Sequence, residues 1–291
     1  MQLINTVLGG LSLGMVYAAF ALALVLIWQS TRIVNFAQAP MAMVTTFIAL
    51  TLIDAGISYW LAFAAALVSG FVLGAVVERL IIRYVDHDSP INAVILTLGL
   101  FIVLHAVAAI VFGSNFKSFP APFGLQGIEV GGTTLALTPF SIFTILVVIA
   151  VMAVLRLLFL KTDLGLTMRA AAFNQEVAKV LGVRVSNRLM LGWALAALVG
   201  SLSGLLIAGG SLVHPSYMDG VVVYGFVAAV LGGLDSPGGA VVGGLVMGVA
   251  LSLVSGYLGS GLVPLAALVV LVVVLLIRPG GLFSTSTERT V

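Results

Sequence analysis

The chain has 291 residues, 62% of them hydrophobic and only 8% charged, with twelve basic side chains against ten acidic ones and no cysteine. Soluble domains carry about 25% charged residues, so a fold of this size could not cover itself in water, and its apolar runs exceed the roughly 18 residues that mark a membrane span. A soluble globular protein is therefore excluded, as are disulfides and thiolate or Cys-based metal chemistry, and the net charge of +2 is no nucleic-acid signal because the basic residues gather at the ends of apolar runs.

The start, MQLINTVLGG, has no positively charged region, so no cleaved signal peptide is read there and the first span, Val7 to Trp28, is expected to stay. The segment QSTRIVNFAQAP follows, with Arg32, Asn35, Gln38 and Pro40. The next run, Met41 to Ile53, is short: about 13 residues at 1.5 Å each do not cross about 30 Å of hydrocarbon. Part of Asn35–Pro40 is thus expected at membrane depth, walled by protein or by a watery cavity. Span three, Tyr59 to Ile82, ends among Glu78, Arg79 and Arg83, ahead of Asp86-His87-Asp88. Ser89-Pro90 then opens span four, which runs to Phe112. A Gly- and Pro-bearing loop leads to span five, Thr138 to Leu160.

Lys161 to Arg188 is the longest polar stretch, and with Arg156 it holds six of the twelve basic residues. Inside it Asn174 can cap a short helix, Gln175 to Leu181 can make its turns, and Gly182 can stop it. Span six, Leu189 to Ala208, is followed by a polar turn with His214, Pro215, Tyr217 and Asp219. The run from Val221 to Leu231 is again too short to cross and breaks at Gly232–Gly239. Two last spans, Ala240 to Leu258 and Leu262 to Ile277, stop at Arg278-Pro279-Gly280-Gly281, and the tail from about residue 282 to 291 carries no packing signal.

The chain thus reads as an all-α integral membrane protein: one polytopic helical bundle over residues 1–291, of about 8–9 spans, with two broken or re-entrant segments. The basic residues Arg79, Arg83, Arg156 to Arg188, Arg278 and Arg289 assign their ends to the cytoplasm. The Phe112–Thr138 loop and the His214–Asp219 turn then fall outside, with the N-terminus outside and the C-terminus inside. Five pairs of glycines spaced by four, Gly10/Gly14, Gly70/Gly74, Gly200/Gly204, Gly239/Gly243 and Gly244/Gly248, are candidates for close helix contacts. The two breaks, Arg32–Pro40 and Gly232–Gly239, are alike in kind, and paired interruptions often mark a transporter's site or gate.

No enzyme constellation is present: there is no HExxH, no P-loop and no GxSxG, and His87, His105 and His214 are scattered. The carboxylates do not cluster within a span, and Asp235 is the one acid read near membrane depth, so the acid chain of ion-coupled carriers is missing. A conduit of this kind needs another energy source or is passive.

Glu176 to Gly182 reads E-x-A-x-x-x-G and resembles the EAA loop of ABC-importer permeases, with Val177 in place of an alanine. Glu176 in the first turn and Lys179 in the last both suit the helix dipole, and the two can pair with each other. Further marks run in order along the chain: G-x-x-Y-A (Gly14 to Ala18), R-I-V-N-F-A-Q (Arg32 to Gln38), G-L-x-M-R-A-A (Gly165 to Ala171), L-G-V (Leu181 to Val183), G-G-L-x-S-P-G-G-A (Gly232 to Ala240) and R-P-x-G-L-F (Arg278 to Phe283). Together they resemble the LivH-type permease subunit of branched-chain amino-acid ABC importers.

That resemblance implies a LivM-type partner permease, LivG/LivF-type ATPase subunits that carry ATP and Mg, an external substrate-binding protein, and a bacterial inner membrane. No cofactor is implied on this chain. It assigns ATPase coupling to the peg bearing Arg169, Asn174, Gln175, Glu176, Ala178, Lys179 and Gly182, where Ala178 is small enough for a partner to approach. Asn35 and Gln38 at the first break, Thr97 and His105 on one face of span four, and Asp235 and Ser236 at the second break are candidates for the pathway or gate. Each has an alternative as a cap or an interior hydrogen bond. A stand-alone channel or secondary carrier for a small polar solute, and an ABC permease for urea or short amides, remain open alternatives.

Overall fold

Gln2–Thr31 form one unbroken helix, α1, because no proline and no charged side chain interrupts its 30 residues. In the computed structural model, which describes residues 1–85, 90–130 and 132–283, α1 ends where Arg32 turns left-handed at φ 57° and its N–H bonds back to the Trp28 carbonyl. Asp86-His87-Asp88, Ser89 of the expected Ser89-Pro90 opening, and the tail with Arg289 lie outside the described residues.

The apolar helices that follow are α2 (Gln38–Asp54), α3 (Tyr59–Leu80, continuing as a 3-10 turn over Ile82–Tyr84), α4 (Pro90–Phe112) and α5 (Pro139–Lys161). A polar pair comes next, α6 (Asp163–Phe173) and α7 (Gln175–Val180), and then α8 (Val185–Ala208), α9 (Asp219–Gly232), α10 (Pro237–Tyr257) and α11 (Val263–Ile277). Among the described residues seven helices are long and apolar enough to cross a membrane. The last of these is α11 together with the 3-10 turn Ser260–Leu262 that leads into it, and two further apolar helices, α2 with 17 residues and α9 with 14, are the runs marked as short in the sequence. Pro40 does not break α2 because it sits in the first turn, where backbone N–H groups have no helical partner to lose. Helix α6 was not foreseen: Asp163–Phe173 reads as polar loop, and its start is fixed locally by the Thr162 hydroxyl, which accepts from Gly165 N at 3.2 Å.

Helices α1 and α8 form the centre and are buried along most of their length. The α10 helix lies against α1 through facing glycines: a side chain at Gly244 would run into Ala18, and one at Gly248 into Gly14 and Gly10. In the same way Gly70 and Gly74 of α3 meet Ala197, Ser201 and Trp193 of α8, while Gly239 and Gly243 of α10 meet Gly232 and Ala228 of α9. Gly200 and Gly204 of α8 admit Gln38 and Thr46 of α2. All five spaced pairs are thus close contacts, which suits a lipid solvent where apolar burial between helices gives no gain over lipid and backbone approach does the holding. The outer helices α4 and α11 turn Ile102, Ile110, Leu276 and Ile277 outward, a surface that only hydrocarbon suits.

Two loops that alternation puts on one face do meet there. Strand β1 (Lys117–Ser118) pairs antiparallel with β4 (Leu212–Val213), with Lys117 opposite Val213. Beside it β2 (Glu129–Val130) and β3 (Thr133–Thr134) form a hairpin, pinned to the start of α1 by Asn5, which donates to Thr134 O at 3.2 Å and accepts from Ala136 N at 3.0 Å.

Candidate functional site

At the end of α1 the break begins with Arg32, whose guanidinium pairs with the carboxylate of Asp235 in the second break. Trp28 Nε1 donates to the same carboxylate at 3.2 Å, Gln29 donates to the Asp235 carbonyl at 2.9 Å, and Arg32 lies over the Trp28 ring. The two interruptions, far apart in sequence, are clamped side by side. Ser236 caps α10 by accepting from Gly239 N at 3.0 Å. Leu282 and Phe283, assigned by sequence to an unpacked tail, instead bond through their N–H groups to Leu231 O and Gly232 O and close over the break.

Deeper in, Asn35 and Gln38 are fully buried and bonded to one another, Asn35 Nδ2 to Gln38 Oε1 at 3.0 Å. Asn35 Oδ1 accepts from Ala37 N at 3.0 Å, and Gln38 Nε2 donates to Ala196 O at 2.8 Å in the space that Gly200 leaves. Asn35 thus holds non-helical backbone and Gln38 ties the break to α8, so both buried amides are satisfied where water is scarce.

Helix α4 gives the depth of the first break and of the start of α9. Thr97, two turns from its start, donates to Val34 O at 3.4 Å, and His105, two turns from its other end, meets Asp219 Oδ1 through Nε2 at 3.1 Å. Each contact lies about 10 Å along the α4 axis from a helix end. The first break and the start of α9 are therefore recessed from opposite faces, as the short runs implied. His105 Nδ1 lies 3.0 Å from the Phe101 carbonyl oxygen, so both ring nitrogens have a partner within the chain. Span-four residues Thr97 and His105 do share a face, and both are occupied by hydrogen bonds inside the chain.

The polar stretch builds a knob. Asn174 Oδ1 accepts from Val177 N at 3.0 Å and caps α7, and Gly182 ends it at φ 82°, with Gly182 N bonding Lys179 O and Val183 N bonding Ala178 O. This is the left-handed stop a glycine permits at no steric cost. Ala178, 2% exposed, faces inward onto Ala171, Val185 and Leu189, so its small size admits this chain's own α6 and α8. What α6 and α7 present outward is apolar: Phe173 is 89% exposed and Val180 87%, with Val177 and Leu181 beside them. Arg169, Glu176 and Lys179 are exposed around that patch. Among the described residues no ion pair joins Glu176 to Lys179, contrary to the expectation from their spacing.

The family model described as the permease component of branched-chain amino acid transport systems matches residues 6–278. The chain belongs to that family. Among its relatives are the high-affinity branched-chain amino acid permease LivH of Salmonella typhimurium, 26% identical over 94% of this chain and 92% of that protein, and BraD of Pseudomonas aeruginosa, 27% identical over 97% and 94%. The fold is shared with a chain of PsaBC from Streptococcus pneumoniae in complex with Fab, at TM-score 0.53 and 16% identity over 95% of this chain and 91% of that one. This is a membrane-embedded permease subunit of an ABC importer and not an enzyme.

Sequence reasoning missed several residues of this permease. Glu78 reads as a charge at an inner span end, yet it is 2% exposed and bound to Arg83 at 3.1 Å. Tyr217 reads as turn, yet its hydroxyl donates to Thr46 Oγ1 at 2.8 Å, and burial pushes its pKa above that of an ordinary tyrosine. Among the described residues no three His, Cys, Asp or Glu side chains gather to hold a metal ion.

Proposed function

We propose that this chain forms half of the pathway through which branched-chain aliphatic amino acids enter the cell, working in the cytoplasmic membrane with a LivM-type permease. LivG/LivF-type ATPase subunits, which bind ATP and Mg, grip the α6–α7 knob, and an external binding protein delivers substrate to the face carrying β1 and β4. The N-terminus lies outside and the C-terminus inside. Arg156, Lys161, Arg169, Lys179, Arg184 and Arg188 flank or lie in the knob, and their charge supports the cytoplasmic assignment.

The observation that carries this reading is the capped α7 with an outward apolar patch, Phe173, Val177, Val180 and Leu181, on a polar segment between two spans. Such a patch in water marks a protein contact. Its inner face is tied to α6 and α8 through Ala171, Ala178, Val185 and Leu189, so a push on the knob reaches α8 directly. Helix α8 holds Gln38, and through it the first break. The chain from knob to break is therefore continuous and packed, which a rigid lever requires.

Proteoliposomes test it. The chain with its partner subunits and binding protein should accumulate labelled leucine only when ATP is present on the knob side. Equal accumulation by this chain alone, without ATP, would make it a stand-alone carrier instead.

A further inference from the structure

Beside the first break a recess of about 140 Å³ opens between α1, the Val34–Phe36 backbone, α9 and α11. Leu24, Val34, Phe36, Val223, Phe226 and Leu271 supply its walls, and Phe36 and Phe226 lie 6.2 Å apart, ring to ring. Asn35 alone brings a polar side chain, and its amide is already bonded to Gln38 and Ala37. Nothing in the recess can receive an ammonium or a carboxylate. Val223 is 49% exposed, so the recess opens outward rather than being sealed.

We infer that this recess receives the aliphatic side chain of the transported amino acid and limits its size, while the charged ends stay outside it. The inference rests on the amino-acid permease reading above. Position supports it, because one wall is the first break and another is the short helix that leads into the second, and transporters bind substrate where helices are interrupted. Size supports it as well. An apolar cavity of roughly 150 Å³ takes a benzene-sized group, whereas pockets for whole drug-sized ligands start near about 300 Å³. A branched four-carbon side chain fits such a space, and an indole does not.

The complete transporter in proteoliposomes, with saturating binding protein, tests this through maximal ATP-driven uptake of labelled alanine, valine, leucine and tryptophan. Val223→Phe, and the milder Val223→Leu, fill the mouth and should lower the leucine rate against alanine by roughly tenfold, the discrimination a few methylenes give in an apolar site. Phe226→Ala enlarges the recess and should raise tryptophan against leucine. Unchanged ratios in all three variants, with assembly intact, would overturn the inference and point to a recess filled by a lipid chain. A wild-type transporter that carried none of the four would instead overturn the functional reading, and this inference with it.

Discussion

Arg32 and Asp235, separated by 203 positions in the chain, pair where the two helix interruptions lie side by side. Both side chains are more than a third exposed, so the pair contributes only about 0–1 kcal/mol to stability. Its interest is geometric: one breaks at the end of α1, the other at the start of α10, and those helices are locked together elsewhere by glycine contacts. Asp235→Asn should therefore leave the melting temperature in detergent almost unchanged. Joining Arg32→Cys to Asp235→Cys with a short bismaleimide, simple in a chain without cysteine, should arrest uptake. Full-rate uptake by the cross-linked protein would mean the breaks need not part during transport.

The knob makes a paired prediction. Leu181→Asp changes an exposed side chain on the outward patch and should leave stability within about 0.5 kcal/mol of wild type, as surface changes do. It should nonetheless reduce co-purification of the partner ATPases. Gly182→Val forces a branched residue to φ 82° at a local cost of about 1–2 kcal/mol and should abolish ATP-driven uptake while membrane insertion is retained. Co-purification yields and uptake rates for the two variants decide the matter.

Close packing in the bilayer can be tested at contrasting glycines. Gly248 touches the α1 backbone at Gly14, so Gly248→Val should destabilise the bundle by about 1–3 kcal/mol or more, as overpacking does. Gly99 on α4 has open space around it, and Gly99→Ala should be neutral or stabilising by up to about 1 kcal/mol. Thermal unfolding in detergent gives both values.

Tyr217 offers a pH dependence. Its hydroxyl donates to Thr46 Oγ1 and has the Gly204 carbonyl as a second acceptor within 3.2 Å, and burial raises its folded pKa above the unfolded value of about 10. A raised folded pKa contributes stability that is complete below the unfolded pKa and is lost as pH climbs above it. Wild type should lose stability above about pH 10, and Tyr217→Phe, about 1 kcal/mol weaker at pH 7, should lose less over the same range. Melting curves at neutral and alkaline pH check this.

Hydropathy made the spans legible because length and apolarity are all that a lipid-spanning helix must satisfy. Local chemistry made its ends legible: Asn174, Gly182 and Ser236 act through neighbours two to four residues away. Azimuth was not legible. A helix apolar all round, such as α4, has no moment to say that Thr97 and His105 face inward, or that His105 will find Asp219 across 114 positions. The same limit hid the inward turn of Ala178, which the motif alone suggests is left for a partner. Spaced glycines were the exception, since a missing side chain marks a contact face directly.

The most direct test of ATPase coupling is the reactivity of Val180→Cys, in this otherwise cysteine-free chain, toward a membrane-impermeant maleimide. Inverted vesicles from cells that lack the partner ATPases should label readily and intact cells should not, because the knob has to face the cytoplasm to meet its engine. Labelling of intact cells, or silence from both faces, would contradict the mechanism.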